Sequence, residues 1–121
     1  MIHRQGTTKR YSDSTSFHGV VYLVEVPSTE EGDIQAQTRD LLMSLERTMV
    51  GAGTDKSHLL LVQVYLTNMA RDYDGFNQVW DTWLPEGTAP SRACVEVKGL
   101  AKPGWKVELV VTAAVNPALL A

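Results

Sequence analysis

Two charged residues in the C-terminal quarter of this chain adjoin or interrupt apolar runs and could do chemistry there. Arg92 follows a proline and a serine at the start of one apolar run, and Glu108 interrupts a second run. Burying an unpaired guanidinium or carboxylate is costly, so charged residues in such settings are paired, exposed or functional. A guanidinium presents a planar fork of donors that suits a carboxylate, and a glutamate can transfer protons.

These residue types leave two interpretations open. In the first, Arg92 and Glu108 form a structural ion pair or lie on a solvated strand face, and no ligand is involved. In the second, Arg92 binds an anionic ligand and Glu108 serves as an acid or base. Cys94 comes two residues after Arg92, so it lies on the same strand face and can line a pocket there. Because no histidine is adjacent in sequence, we interpret Cys94 as a packing residue rather than a nucleophile.

The two apolar runs predict strands that would position these side chains. Residues 90–100 and 105–115 are rich in β-branched and apolar residues. The segment between them contains Lys102, Pro103 and Gly104, a combination typical of a turn. The simplest prediction is that the two strands form a hairpin.

Helical and strand-like spacing predicts the other elements. Asp33 is a suitable N-cap for the first helix, and Gly51 and Gly53 are suitable for ending it. The predicted elements are short edge strands within 3–18, a strand at 20–26 ended by Pro27, a helix from Ile34 to Met49, a strand at 59–66, a helix at 71–83 and the two final strands. The strand at 59–66 is so continuously apolar that we expect it to be central and covered by helices. This order indicates an α+β domain with one mixed sheet and both helices packed on one face.

Two helices leave the other face of such a sheet uncovered, although apolar residues point to both faces. We assign to one face Val95, Val97, Val107, Leu109 and Val111, and to the other Val110 and Ala114. The uncovered face is therefore expected to be buried by other subunits.

Composition narrows the class of protein. The chain has 121 residues, which fits one domain over 1–121, and 44% hydrophobic with 21% charged residues is typical of a globular protein. A net charge of -3 offers no basic surface for nucleic acid. No apolar run reaches the roughly 18 residues of a membrane span and no secretion signal is visible, so we expect a cytoplasmic protein. A single cysteine and three scattered histidines predict no disulfide and no metal site.

The C-terminal quarter carries a family resemblance. The residues concerned are the run 89–97, Leu100, the run 107–109, the upstream run 76–80 and, more weakly, Tyr11 with Val26 and Pro27. Their order and spacing resemble the signature of the reactive-intermediate deaminase family, also called RidA-like or YjgF-like. The resemblance covers nearly the whole chain, and its C-terminal part is the specific one.

The resemblance implies a fold, an assembly and a reaction. The fold would be chorismate-mutase-like, and the assembly a homotrimer with clefts between subunits. The reaction would be hydrolysis of enamines and imines such as 2-aminoacrylate to a 2-keto acid and ammonia, without metal or organic cofactor. Arg92 would hold the substrate carboxylate and Glu108 would position the water. The resemblance further implies that the pocket is lined by Tyr11, Asn77, Cys94 and Val24.

One departure from the family keeps other functions open. Many members carry a serine and a glycine at about the positions of Leu23 and Val24, where exposed backbone helps to hold the carboxylate. Here Leu23, Val24 and Glu25 add bulk and a charge, so pocket size and substrate choice stay open. The alternatives are a non-catalytic trimer that binds small anions and, less favoured in so acidic a chain, an endoribonuclease or translation inhibitor.

Overall fold

The computed structural model describes residues 1–119, which form one six-stranded sheet and two α-helices. The elements are β1 (His3–Gln5), β2 (Ser14–Phe17), β3 (Val20–Glu25), α1 (Ile34–Gly51), β4 (Leu59–Leu66), α2 (Met69–Trp83), β5 (Ser91–Glu96) and β6 (Val107–Ala114), with short 3-10 helices at Lys56–His58 and Pro117–Leu119. The strand order is β1-β2-β3-β6-β4-β5. All neighbours are antiparallel except β4 and β5, which are parallel. The predicted mixed α+β sheet is confirmed.

The predicted hairpin between the last two strands is wrong. β4 lies between β5 and β6 and pairs with both of them. The expected turn does form, since the Trp105 amide donates to the Lys102 carbonyl at 3.1 Å. However, α2 crosses over between β4 and β5 and places β5 parallel to β4, as a helical crossover requires. β5 is therefore an edge strand.

Both helices pack on one face of the sheet, as predicted. Asp33 caps α1, because its carboxylate accepts a hydrogen bond from the Ala36 amide at 2.9 Å. The core between the two layers contains Leu41, Leu42, Leu45 and Met49 from α1, Phe76, Val79 and Trp80 from α2, and Val21, Leu23, Val62, Val64, Leu66, Val107, Leu109, Val111 and Ala113 from the strands. None of the helices in the described part of the chain is long and apolar enough to cross a membrane.

The face of the sheet that points away from the helices, here called the open face, is uncovered by any element of residues 1–119. Its large apolar side chains include Tyr22, Val24, Leu61 and Val95, each 39–51% exposed. The predicted grouping of Val95 with Val107, Leu109 and Val111 is wrong, because Val95 pairs with Tyr65 on the open face. β4 is an inner strand, as predicted, but the helices cover only one of its faces, since Leu61 is exposed on the other.

Candidate functional site

Arg92 lies on the helix side of the edge strand β5. Arg92 is half-buried and lies opposite Val62 in the register, and its guanidinium carbon is 5.6 Å from the centre of the Phe76 ring and 5.7 Å from that of Trp80. No salt bridge or side-chain hydrogen bond involves Arg92 among the described residues. The aromatic rings thus support the cation while its donors stay available.

A cavity of about 560 Å³ opens beside this guanidinium, between β5 and the first turns of α2. It is lined by Met69, Ala70, Tyr73, Asp74, Arg92 and Cys94. Cys94 lies on the same face as Arg92, as its spacing predicts. Burial raises the pKa of the Cys94 thiol, and the charge of Arg92 opposes that shift. The thiol is therefore protonated near neutral pH, which agrees with packing rather than nucleophilic attack.

Asn77 lies on the same side of α2 as this cavity, four residues after Tyr73 and three after Asp74. Its amide oxygen is buried and has no hydrogen-bond partner within residues 1–119. Leaving a buried acceptor unpaired costs about 1–3 kcal/mol. A donor from a ligand or from another chain would remove this cost.

Glu108 lies on the open face, opposite Tyr65 in the register of β6 with β4. Its side chain is half-buried, and this burial raises the pKa of the carboxyl group above its ordinary value. Arg92 and Glu108 therefore project from opposite faces of the sheet and do not form an ion pair within one chain. One chain alone also does not bring the two into one cavity.

Tyr11 and Val24 are also remote from Arg92 within the chain. Val24 is 51% exposed on the open face and pairs with Val110, while Tyr11 is 63% exposed in the loop between β1 and β2. The six predicted site residues thus form two groups. Arg92, Cys94 and Asn77 surround the edge of the sheet at β5 and α2, whereas Tyr11, Val24 and Glu108 lie on other strands or loops.

Tyr73 and Asp74 line the cavity but were not predicted as site residues. Tyr73 is an apolar position of α2 by spacing, and Asp74 resembles any solvated residue of a helix surface. Their helical distance from Asn77 is the sequence signal that could have identified them. The described residues contain no cluster of three or more His, Cys, Asp or Glu side chains that could bind a metal ion.

Comparison with known proteins places the chain in a family. The family described as Endoribonuclease L-PSP matches residues 1–115. A RutC family protein of Haemophilus ducreyi is 42% identical over 117 residues, covering 96% of this chain and 98% of that protein. A protein of Acinetobacter baylyi named 3-aminoacrylate deaminase RutC is 31% identical over 110 residues, covering 85% of each chain.

A solved structure agrees with these sequence matches. The crystal structure of a member of the YjgF protein family from Neisseria meningitidis superposes with a TM-score of 0.91 at 39% identity, covering 96% of each chain. The fold and the sequence matches thus agree. The chain belongs to the Endoribonuclease L-PSP family, also called the YjgF/RidA family, as its C-terminal residues predict.

Proposed function

We propose that this protein is an enamine and imine deaminase that hydrolyses 2-imino acids to 2-keto acids and ammonia. The observation that carries the proposal is the state of Arg92. Arg92 is half-buried, its guanidinium lies against two aromatic rings beside an open cavity, and it has no counter-ion among residues 1–119. A guanidinium in this state suits a substrate carboxylate held through two hydrogen bonds.

The chemistry needs little beyond orientation and proton transfer. The imine carbon is electrophilic, so water adds to it and forms a carbon–oxygen bond as the nitrogen gains a proton. The carbon–nitrogen bond then breaks, ammonia leaves and a keto acid remains. An enamine such as 2-aminoacrylate first takes up a proton at carbon to become the imine. Glu108, whose pKa burial raises, is suited to accept the proton of the water and return it to nitrogen.

The separation of Arg92 from Glu108 supports a site formed between chains. We propose a homotrimer in which one chain supplies the β5 edge with Arg92 and its neighbour supplies the open face with Glu108. Contact between two different surfaces is head-to-tail, and such contacts can close into a ring. The exposed apolar residues of the open face favour burial of this kind.

The relative from Acinetobacter baylyi supports the reaction class. Its name describes deamination of 3-aminoacrylate, an enamine of a three-carbon acid. The reaction proposed here is of the same type, because a carbon–nitrogen bond of a small carboxylic acid is hydrolysed and ammonia is released.

Ammonia release from freshly generated 2-aminoacrylate and from bulkier imino acids tests the proposal. We expect the purified protein to release ammonia faster than spontaneous hydrolysis does, and Arg92→Ala to lose this acceleration. Arg39→Ala, the same exchange at an exposed position of α1, is the matched control and should retain it. A wild-type rate equal to the spontaneous rate would refute the deaminase.

A non-catalytic anion-binding trimer is the second candidate, and Val24 is the observation that favours it. Its branched side chain is half exposed on the open face. At about this position many members of the family have glycine, whose backbone helps to hold the carboxylate. Calorimetric binding of a keto acid without any accelerated hydrolysis would establish this candidate. Incubation of the same purified protein with single-stranded RNA, followed by measurement of RNA cleavage, tests the endoribonuclease alternative.

A further inference from the structure

Two opposite charges line the cavity beside β5 without forming a salt bridge. Arg92 and Asp74 both line it, yet they form no salt bridge with each other. The cation nearest to Asp74 in sequence is Arg71, and it is held by Asp72 through two hydrogen bonds of 2.7 Å. No salt bridge or side-chain hydrogen bond occupies Asp74 within residues 1–119. Its carboxylate therefore remains available to a ligand.

Exposure differs between the two ends of the cavity. Arg92 and Cys94 are half-buried, whereas Tyr73 is 40% exposed and Asp74 is exposed as well. A ligand whose carboxylate contacts Arg92 would therefore direct its other end towards Tyr73 and Asp74. Within one chain the cavity measures about 560 Å³, which leaves room for a side chain beyond the carboxylate end of a ligand.

We infer that Asp74 is a specificity-determining residue that favours 2-imino acids whose side chain ends in a cation, such as a guanidinium. This inference rests on the proposed function, because it takes Arg92 as the carboxylate-binding end. Asp74 supplies an opposite charge with two acceptor oxygens, and the ring of Tyr73 supplies an aromatic face that also attracts cations. Side chains that end in a carboxylate would be repelled by Asp74.

Imino acids made from arginine and citrulline by an amino-acid oxidase give a direct test. The two side chains have nearly the same shape and differ in charge. We expect kcat/KM for the arginine imine to exceed that for the citrulline imine, and Asp74→Asn to lower this ratio about fivefold, the upper range for an exposed charge pair. Asp81→Asn, a change at an exposed position of the same helix outside the cavity, should keep the wild-type ratio.

Charge reversal sharpens the test. Asp74→Lys should shift the preference towards the imine made from glutamate. An unchanged arginine-to-citrulline ratio in folded Asp74→Asn would overturn the inference, as would a wild-type ratio near one. A fall in melting temperature with an unchanged ratio would assign Asp74 a structural role instead.

Binding measurements separate this inference from the proposed function. If the wild type hydrolyses none of the imines, the deaminase proposal fails, and calorimetry with the keto acids derived from arginine and citrulline still tests Asp74. Tighter binding of the arginine-derived acid, lost in Asp74→Asn, would support the inference. Equal affinities in both proteins would overturn it.

Discussion

Replacing Arg92 with lysine keeps the positive charge of the cavity but removes the planar fork of donors. Two-point contact with a carboxylate becomes one-point contact, so one charge-assisted hydrogen bond is lost, worth about 1.5–3 kcal/mol. At 1.36 kcal/mol for each factor of ten, kcat/KM should fall roughly 10- to 150-fold. Stability should change little, because Arg92 is in no ion pair among residues 1–119 and the change forfeits only part of its contact with Phe76 and Trp80.

Ammonia release and thermal unfolding of the same preparations measure both effects. Arg92→Lys should be slow but folded, with a melting temperature close to that of the wild type. Arg39→Lys controls for the exchange of the two basic side chains at a surface site. Turnover within twofold of the wild type in well-folded Arg92→Lys would refute the two-point contact, and with it the role assigned to this residue.

Further predictions concern the open face and a second carboxylate. Glu108→Gln should reduce turnover by about 10²–10⁴-fold while keto-acid binding and melting temperature persist; lost stability at an unchanged rate would make Glu108 structural. Burial raises the pKa of Glu25 to about 7 from 4.5, so ionisation costs stability as pH rises through that interval. Glu25→Gln should therefore raise the melting temperature more at pH 8 than at pH 5, and equal shifts would contradict this. Light scattering should show that the wild type is a trimer and that Val95→Glu dissociates it. Met43→Glu, at an exposed position of α1, should leave the trimer intact, and a monomeric wild type would contradict the proposed trimer.

The sequence predicts local structure well because its signals act over a few residues. Asp33 marks the start of α1 and the spacing of its leucines marks the buried side, so the helix and its packing face follow directly. The two-residue period of a strand equally places Cys94 on the face of Arg92. These parts of the fold and site need no knowledge of distant partners.

Pairing between distant strands is what the pattern leaves undetermined. The turn at 102–104 forms as predicted, but β4 pairs with both flanking strands, and this order depends on the crossover through α2. The face that Glu108 occupies depends on its register with Tyr65, which is 43 residues earlier in the chain. Asp74 lines the cavity only because α2 lies beside β5. Its neighbours in sequence are those of an ordinary exposed helix residue, so the sequence does not indicate that it belongs to a site.

The surroundings of Glu108 and of Asp74 differ in how much change they can accept during evolution. β6 pairs with β4 from Val107 onwards and with β3 from Leu109 onwards, and the neighbours of Glu108 in sequence, Val107 and Leu109, are fully buried. Substitutions around Glu108 therefore disturb the core and are selected against through stability. Asp74, on the helix beside β5, is exposed, so a substitution there costs little stability within one chain. The proposed preference for substrate side chains can thus change through Asp74 while the position of Glu108, the proposed proton-transferring carboxylate, stays fixed.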